Sequence, residues 1–231
     1  MADRRPYGNR ALPGAGKEDA MRHGWFGGDG GAAQAQRRMD LQIMIAEMRG
    51  YWESLRDGPA LPGRAEINPR GIRGALSGAF LVEQIAPQSG RIRIAGQNFT
   101  DLLGMEARGM PLSAMFDPPA RAAFGPLLAQ AFDARAIVDL QLDCETGIGR
   151  PPIIGRMILL PLAECAHRGR AVMGCLALSG EVGKAPRRLS LRRALERRIG
   201  GPPCDTNQPD VFAVKETAKA RPYLRLVDLG R

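Results

Sequence analysis

Histidine is nearly absent: His23 and His167 are the only two in 231 residues. Neither sits in a pattern that pairs a Ser or Cys nucleophile with a base and an orienting acid. HExxH, Walker-loop, paired-carboxylate and zinc-ligand spacings are missing as well. The chain is therefore not expected to be an enzyme, and no metal site is expected. Cysteine is scarce too. Cys144, Cys165, Cys175 and Cys204 show no CxxC spacing and read as free thiols of a reducing compartment. No apolar run is long enough to cross a bilayer. The opening residues MADRRPYGNR lack the apolar core of a secretion signal, so a cytoplasmic chain is expected. Aromatics make up 5% of the residues and do not interleave with the basic ones, which removes the stacking platform of a single-strand binder.

What is present in excess is positive charge, and its location matters. The net charge is +9, yet residues 34–183 carry 16 Lys+Arg against 15 Asp+Glu, and residues 184–231 carry 12 against five. The body is nearly neutral and the basicity belongs to the end of the chain. Within Lys184–Arg198, KAPRRLSLRRALERR, seven cations face Glu196 alone. Leu191, Leu195 and Ile199 form one stripe among Arg187, Arg188, Arg192, Arg193, Arg197 and Arg198, which predicts a basic amphipathic helix. Such a tail can meet nucleic acid or an anionic surface, or serve only as a solubilising segment.

Four segments are expected. Residues 1–33 are rich in Gly and small polar residues without a period and read as a disordered head. In residues 34–57, Leu41, Ile45, Met48, Trp52 and Leu55 recur at heptad spacing, a helix whose seam either covers its own domain or joins two copies; the copy-to-copy seam is the reading taken here. Residues 58–183 form the folded domain, and residues 184–231 a basic, largely flexible tail.

Inside the domain the pattern is strand, strand, corner, helix and three strands. Ala79–Ile85 is a nearly continuous apolar run, and Arg91–Ala95 returns beside it after the turn Pro87–Gly90. The corner runs from Gly96 to Gly104, with Asn98 or Thr100 as N-cap, Leu102 and Leu103 inward and Gly104 as stop. Asp117 caps a helix over Pro119–Arg135. Ile137–Thr146 alternates, with Val138, Leu140, Leu142 and Cys144 on one face and Asp139, Gln141, Asp143 and Glu145 on a wet one. Ile153–Leu162 and Ala171–Ser179 complete the set, and Cys144 and Cys175 fall in strands and read either as inert core thiols or, if neighbours with one reactive, as a redox switch. Arg64, between two turn signals, reads as a clamp on a carbonyl or a carboxylate of the core.

That order resembles the PAS fold, and most closely a family of bacterial proteins made of one PAS domain without an attached kinase. The matching residues are Tyr51-Trp52, Leu55-Arg56, Gly58, Pro62, Arg64, Pro69, Phe80-Leu81, Arg93, Gly96, Gly104, Gly109, Leu160-Pro161-Leu162 and Gly174, over roughly residues 49–180. Pro59 and Asn68 depart from the pattern, where a basic residue and an Asp are common. The resemblance implies an α+β fold: a five-stranded antiparallel sheet with helices on one face, preceded by an N-terminal helix. It implies a sensory module that senses a small molecule, a redox state or a partner and passes a packing change to a signalling protein; a homodimer is expected from the heptad seam of the leading helix. Haem is disfavoured because residues 119–135 hold no axial His, and flavin because the expected Asn-Cys-Arg stretch is missing. Ile92, Phe99, Leu103, Phe116, Leu128, Leu140, Ile158 and Met173 would line the cavity between sheet and helices, where they either fill it as core or admit a small apolar ligand.

Overall fold

The computed structural model describes residues 29–134, 136–166 and 169–199. Expectations for 1–28, for the turn at 167–168 and for 200–231 lie outside the described residues. The chain divides into two units, 1–35 and 36–231. The described part of the first is the opening of a helix, and the second holds the sheet.

Helix α1 (Asp29–Ser54) is followed by 3-10 segments at Arg64–Glu66 and Pro69–Gly78. Strands β1 (Ala79–Ala86) and β2 (Ser89–Ala95) lead into the short helix α2 (Gln97–Leu103), a 3-10 turn at Leu112–Met115 and helix α3 (Pro118–Phe132). Strands β3 (Ala136–Cys144), β4 (Ile154–Pro161), β5 (Ala171–Ser179) and β6 (Leu189–Arg198) complete the order. The sheet reads β2-β1-β5-β4-β3-β6, and every neighbouring pair is antiparallel. The α+β class, the antiparallel layer and the leading helix are as the sequence predicts; a sixth strand is added to the expected five.

Local chemistry sets the corners. Gly104 ends α2 in the left-handed conformation at φ 71°, which a side chain would resist. The N-cap of α2 is Gly96 rather than Asn98 or Thr100. Asn98 already lies inside the helix, and its amide Nδ2 donates to Leu176 O at 2.8 Å, tying α2 to β5. Asp117 caps α3 as predicted, accepting from Ala120 N at 2.8 Å. Gly174 permits β5 to run close beside its neighbours, since a Cβ there would lie 2.1 Å from Ile158 O and 2.5 Å from the Phe80 ring.

The expected basic helix at 184–198 is overturned: Leu189–Arg198 is β6, paired with β3 from Ala136↔Arg198 to Cys144↔Leu189. The register slips between Gln141 and Leu142, so Arg192 is the extra residue of a bulge. The slip puts Leu189, Leu191 and Ala194 in the core, although a strict two-residue alternation would not. Helix propensity lost to the open edge of β3, whose unpaired N–H and C=O groups are satisfied by this pairing. Ser190 Oγ also donates to Asp117 Oδ2 at 2.6 Å, which binds β6 to the cap of α3.

Candidate functional site

The sheet has two differently built faces. On one, α2, α3 and the turn between them enclose an apolar core that contains Ile92, Phe99, Leu103, Phe116, Leu128 and Leu140, all buried. Phe80 meets Phe99 edge to face at 5.3 Å, and Phe116 stacks on Phe124 at 4.3 Å. Six of the eight expected wall residues are therefore together. Ile158 and Met173 are not, because they point to the opposite face. In β4 it is Met157 and Leu159 that reach the helical core, and in β5 Val172 and Leu176. Both strands are apolar on both faces, so their composition does not reveal which parity faces the helices.

The other face is covered by α1. Leu41, Ile45, Met48 and Trp52 are buried there with Leu81, Ile137, Ile158, Leu160, Met173 and Cys175. Trp52 Nε1 donates to Pro161 O at 2.8 Å, and the Arg56 guanidinium lies 5.0 Å from its ring centre. The heptad seam thus belongs to the chain's own sheet, and the copy-to-copy reading of these residues is corrected; Leu55, past the helix end, is half-buried. A stripe of apolar residues on a helix finds the nearest apolar surface, and an uncovered sheet face in the same chain is nearer than a second molecule. The side of α1 turned away from the sheet carries Met39, Ile43, Ala46 and Gly50, all exposed.

Charges are built into this α1-covered face. Glu83 of β1 is gripped by Arg64 and by Arg93, whose Nε lies 2.5 Å from Glu83 Oε2. Burial pushes the Glu83 carboxyl up, but the hydrogen bonds and charges of Arg64 and Arg93 outweigh it and hold the group below its ordinary value. On the far strands Arg156 Nη2 donates to Asp139 Oδ2 at 2.6 Å. Asp139 is buried, whereas its alternating pattern predicts a wet position. Arg49 of α1 faces the same group: burial lowers its guanidinium first, Asp139 opposes that, and Arg197 and Arg156 add to the lowering. Arg49 Nε, Arg156 Nε and Asp139 Oδ1 are buried without hydrogen-bond partners among the described residues. Sequence alone does not show Arg49, Asp139 and Arg156 as one cluster, because Asp139 falls in the regular polar alternation of β3 with Gln141 and Asp143.

A family model described as a PAS domain matches residues 42–177, more than half of the chain. The chain belongs to the PAS domain family. Curated proteins gave no match. PAS domains are sensory, signalling modules and are generally not catalytic. The match starts within α1 and stops before β6, so the sixth strand lies beyond the matched part of this PAS domain. Arg64 and Arg93, which carried part of the resemblance, prove to be the two arms of the Glu83 grip.

Two basic residues of the expected tail, Arg187 and Arg188, are structural in this PAS domain. Arg187 is wholly buried, and its guanidinium donates to Val182 O, to Glu145 O at 2.6 Å and to Pro151 O at 2.8 Å. It fastens the loops on either side of the sheet end. Arg188 donates to Ala114 O. Arg192 pairs loosely with Asp143 at 3.6 Å, Arg193 and Arg197 are half-buried, and Arg198 is exposed. Cys144 and Cys175 are not neighbours: they face opposite sides of the sheet on β3 and β5, with β4 between them. Burial raises their thiols to about 11 and about 12, which disfavours the reactive thiolate. Among the described residues no three His, Cys, Asp or Glu side chains gather where an ion could sit, and no helix is long and apolar enough to cross a membrane.

Proposed function

We propose that this PAS domain is a cytoplasmic, non-enzymatic sensor that signals through protein contacts, and that α1 carries the output. The observation behind this reading is the double role of α1. Its inner side rests on the sheet through Leu41, Ile45, Met48 and Trp52, and its outer side presents Met39 and Ile43, more than half exposed, to other molecules. A shift of α1 on the sheet is thereby a shift of the surface a partner touches. In this reading the core between sheet and helices is filled by its own side chains, and native mass spectrometry of fresh protein is expected to return the bare polypeptide mass. A second copy of the chain is the proposed first partner, through the outer stripe of α1 rather than the inner seam.

The test is Ile43→Glu in the full chain. The parent is expected to run as a dimer by sedimentation, and the variant as a monomer with unchanged thermal stability. A pull-down from the native host with both forms then reports whether a signalling protein uses the same stripe. A monomeric parent together with identical captures by both forms would remove α1 from the account.

A further inference from the structure

Beside α1, on the face it covers, a cleft of about 380 Å3 opens to solvent. Its walls come from separate parts of the chain: Arg38 and Gln42 from α1, Gln141 and Asp143 from β3, Arg156 from β4 and Arg192 from the bulge of β6. Three guanidinium groups from three elements thus converge on one small concavity that contains a single carboxylate. Arg156 spends one nitrogen on Asp139 and keeps a buried Nε without an acceptor. Arg192 holds Asp143 only at 3.6 Å, with both side chains substantially exposed. Arg38 is exposed and makes no ion pair among the described residues. Arg38 and Arg192 therefore retain solvent-facing donors that match the paired oxygens of a carboxylate or phosphate, and Arg156 adds its charge to the wall.

We propose that this cleft binds a small oxyanion of charge two, a phosphomonoester or a dicarboxylate. The volume falls at the low end of small-ligand sites. No aromatic side chain lines it, so nothing there stacks a nucleobase. Gln42 and Gln141 supply neutral amides that hydrogen-bond either anion. A bound oxyanion joins Arg38 of α1 to Arg156 and Arg192 of the sheet, and so clamps the helix to the strands; it competes with Asp143 for Arg192. The inference supplies a cue for the sensory reading above, but the binding itself involves no partner protein, so a failed pull-down does not bear on it.

The test is titration of the full chain with sodium phosphate, sodium succinate and sodium chloride at matched ionic strength, followed by amide NMR. Saturable shifts are expected at Arg38, Gln42, Gln141, Gly155 and Arg192 with phosphate or succinate, and none that saturate with chloride. Saturation by phosphate alone assigns the phosphomonoester class, and saturation by succinate alone the dicarboxylate class. The Arg38→Gln/Arg192→Gln double variant changes only exposed side chains and is expected to weaken binding at least tenfold, while Arg108→Gln leaves it unchanged. Shifts that chloride reproduces, no saturation with either anion, or equal affinity in the double variant would overturn the proposal.

Discussion

The two faces of the sheet are closed in different ways. Under α2 and α3, aromatic and aliphatic side chains from both helices and all six strands meet, and the buried Arg187 lies at the rim. Under α1 the apolar ridge is narrower, and it is flanked on one side by the Glu83 grip and on the other by Asp139, Arg156 and Arg49. The first face can only be opened at the cost of the whole core. The second is closed by α1 together with Ile72 and Ala75 of the 3-10 segment Pro69–Gly78, and displacement of α1 leaves the strands paired to each other. A sensor needs one part that stays and one part that moves, and in the function proposed above these are the bracketed face and α1.

The comparison breaks most visibly under large-to-small substitution. Phe99→Ala is expected to cost about 4 kcal/mol and to lower the whole unfolding transition, because Phe99 is fully buried among α2, β1 and the helical bracket. Trp52→Ala is expected to cost about 3 kcal/mol, since it also strands the acceptor Pro161 O. The two should differ in kind. Urea melts followed by hydrogen exchange should show Phe99→Ala exposing the strands, and Trp52→Ala exposing α1 while β1 and β3–β5 stay protected. Equal loss of protection everywhere in Trp52→Ala would show that α1 is part of one indivisible core. Next in size is Arg187→Met, which removes three hydrogen bonds from one buried group and is expected to cost about 2 kcal/mol. The effect should be local to the loops at 145–151 and 182, so protease cutting there before global unfolding is the readout.

Much of the bracketed face can be read from the chain. Leu102-Leu103-Gly104, the Asp117 cap and the alternation of β3 are local signals, each enforced within a few residues by helix ends or by strand parity. The α1 face is harder, for three physical reasons. A heptad stripe states that Leu41, Ile45, Met48 and Trp52 must be covered, but not by what. Strands apolar on both sides hide their parity, so composition alone does not place Ile158 and Met173 on the α1 face. The residues LRRALERR are good helix formers with an i, i+4 stripe, and only the free edge of β3 together with a bulge at Arg192 makes them a strand. The charged cluster shares this origin: Arg49, Asp139 and Arg156 lie far apart in sequence and meet only once β4, β3 and α1 are in register.

The smallest expected effect tests whether the charges of the α1 face hold it together or merely tolerate it. Glu83→Gln removes the carboxylate shared by Arg64 and Arg93 and keeps the shape of the side chain. Both arginines remain partly solvated, with side chains 26% and 44% exposed, so the pair energy is screened and the expected loss at pH 7 is about 1 kcal/mol. The pH dependence carries the sign. The folded-state pKa of Glu83 lies below its ordinary value of 4.5 because its two arginine partners favour the anion. Its contribution is therefore complete above that ordinary value and fades as pH falls through the lower, folded-state one. Parent and variant should differ in urea midpoint at pH 7 and converge as the solution is acidified below 4.5. A gap that persists unchanged into acid would mean that the neutral amide disturbs packing rather than charge. A gap already missing at pH 7 would mean that solvent carries both arginines, leaving the apolar ridge of α1 as the element that holds this face closed.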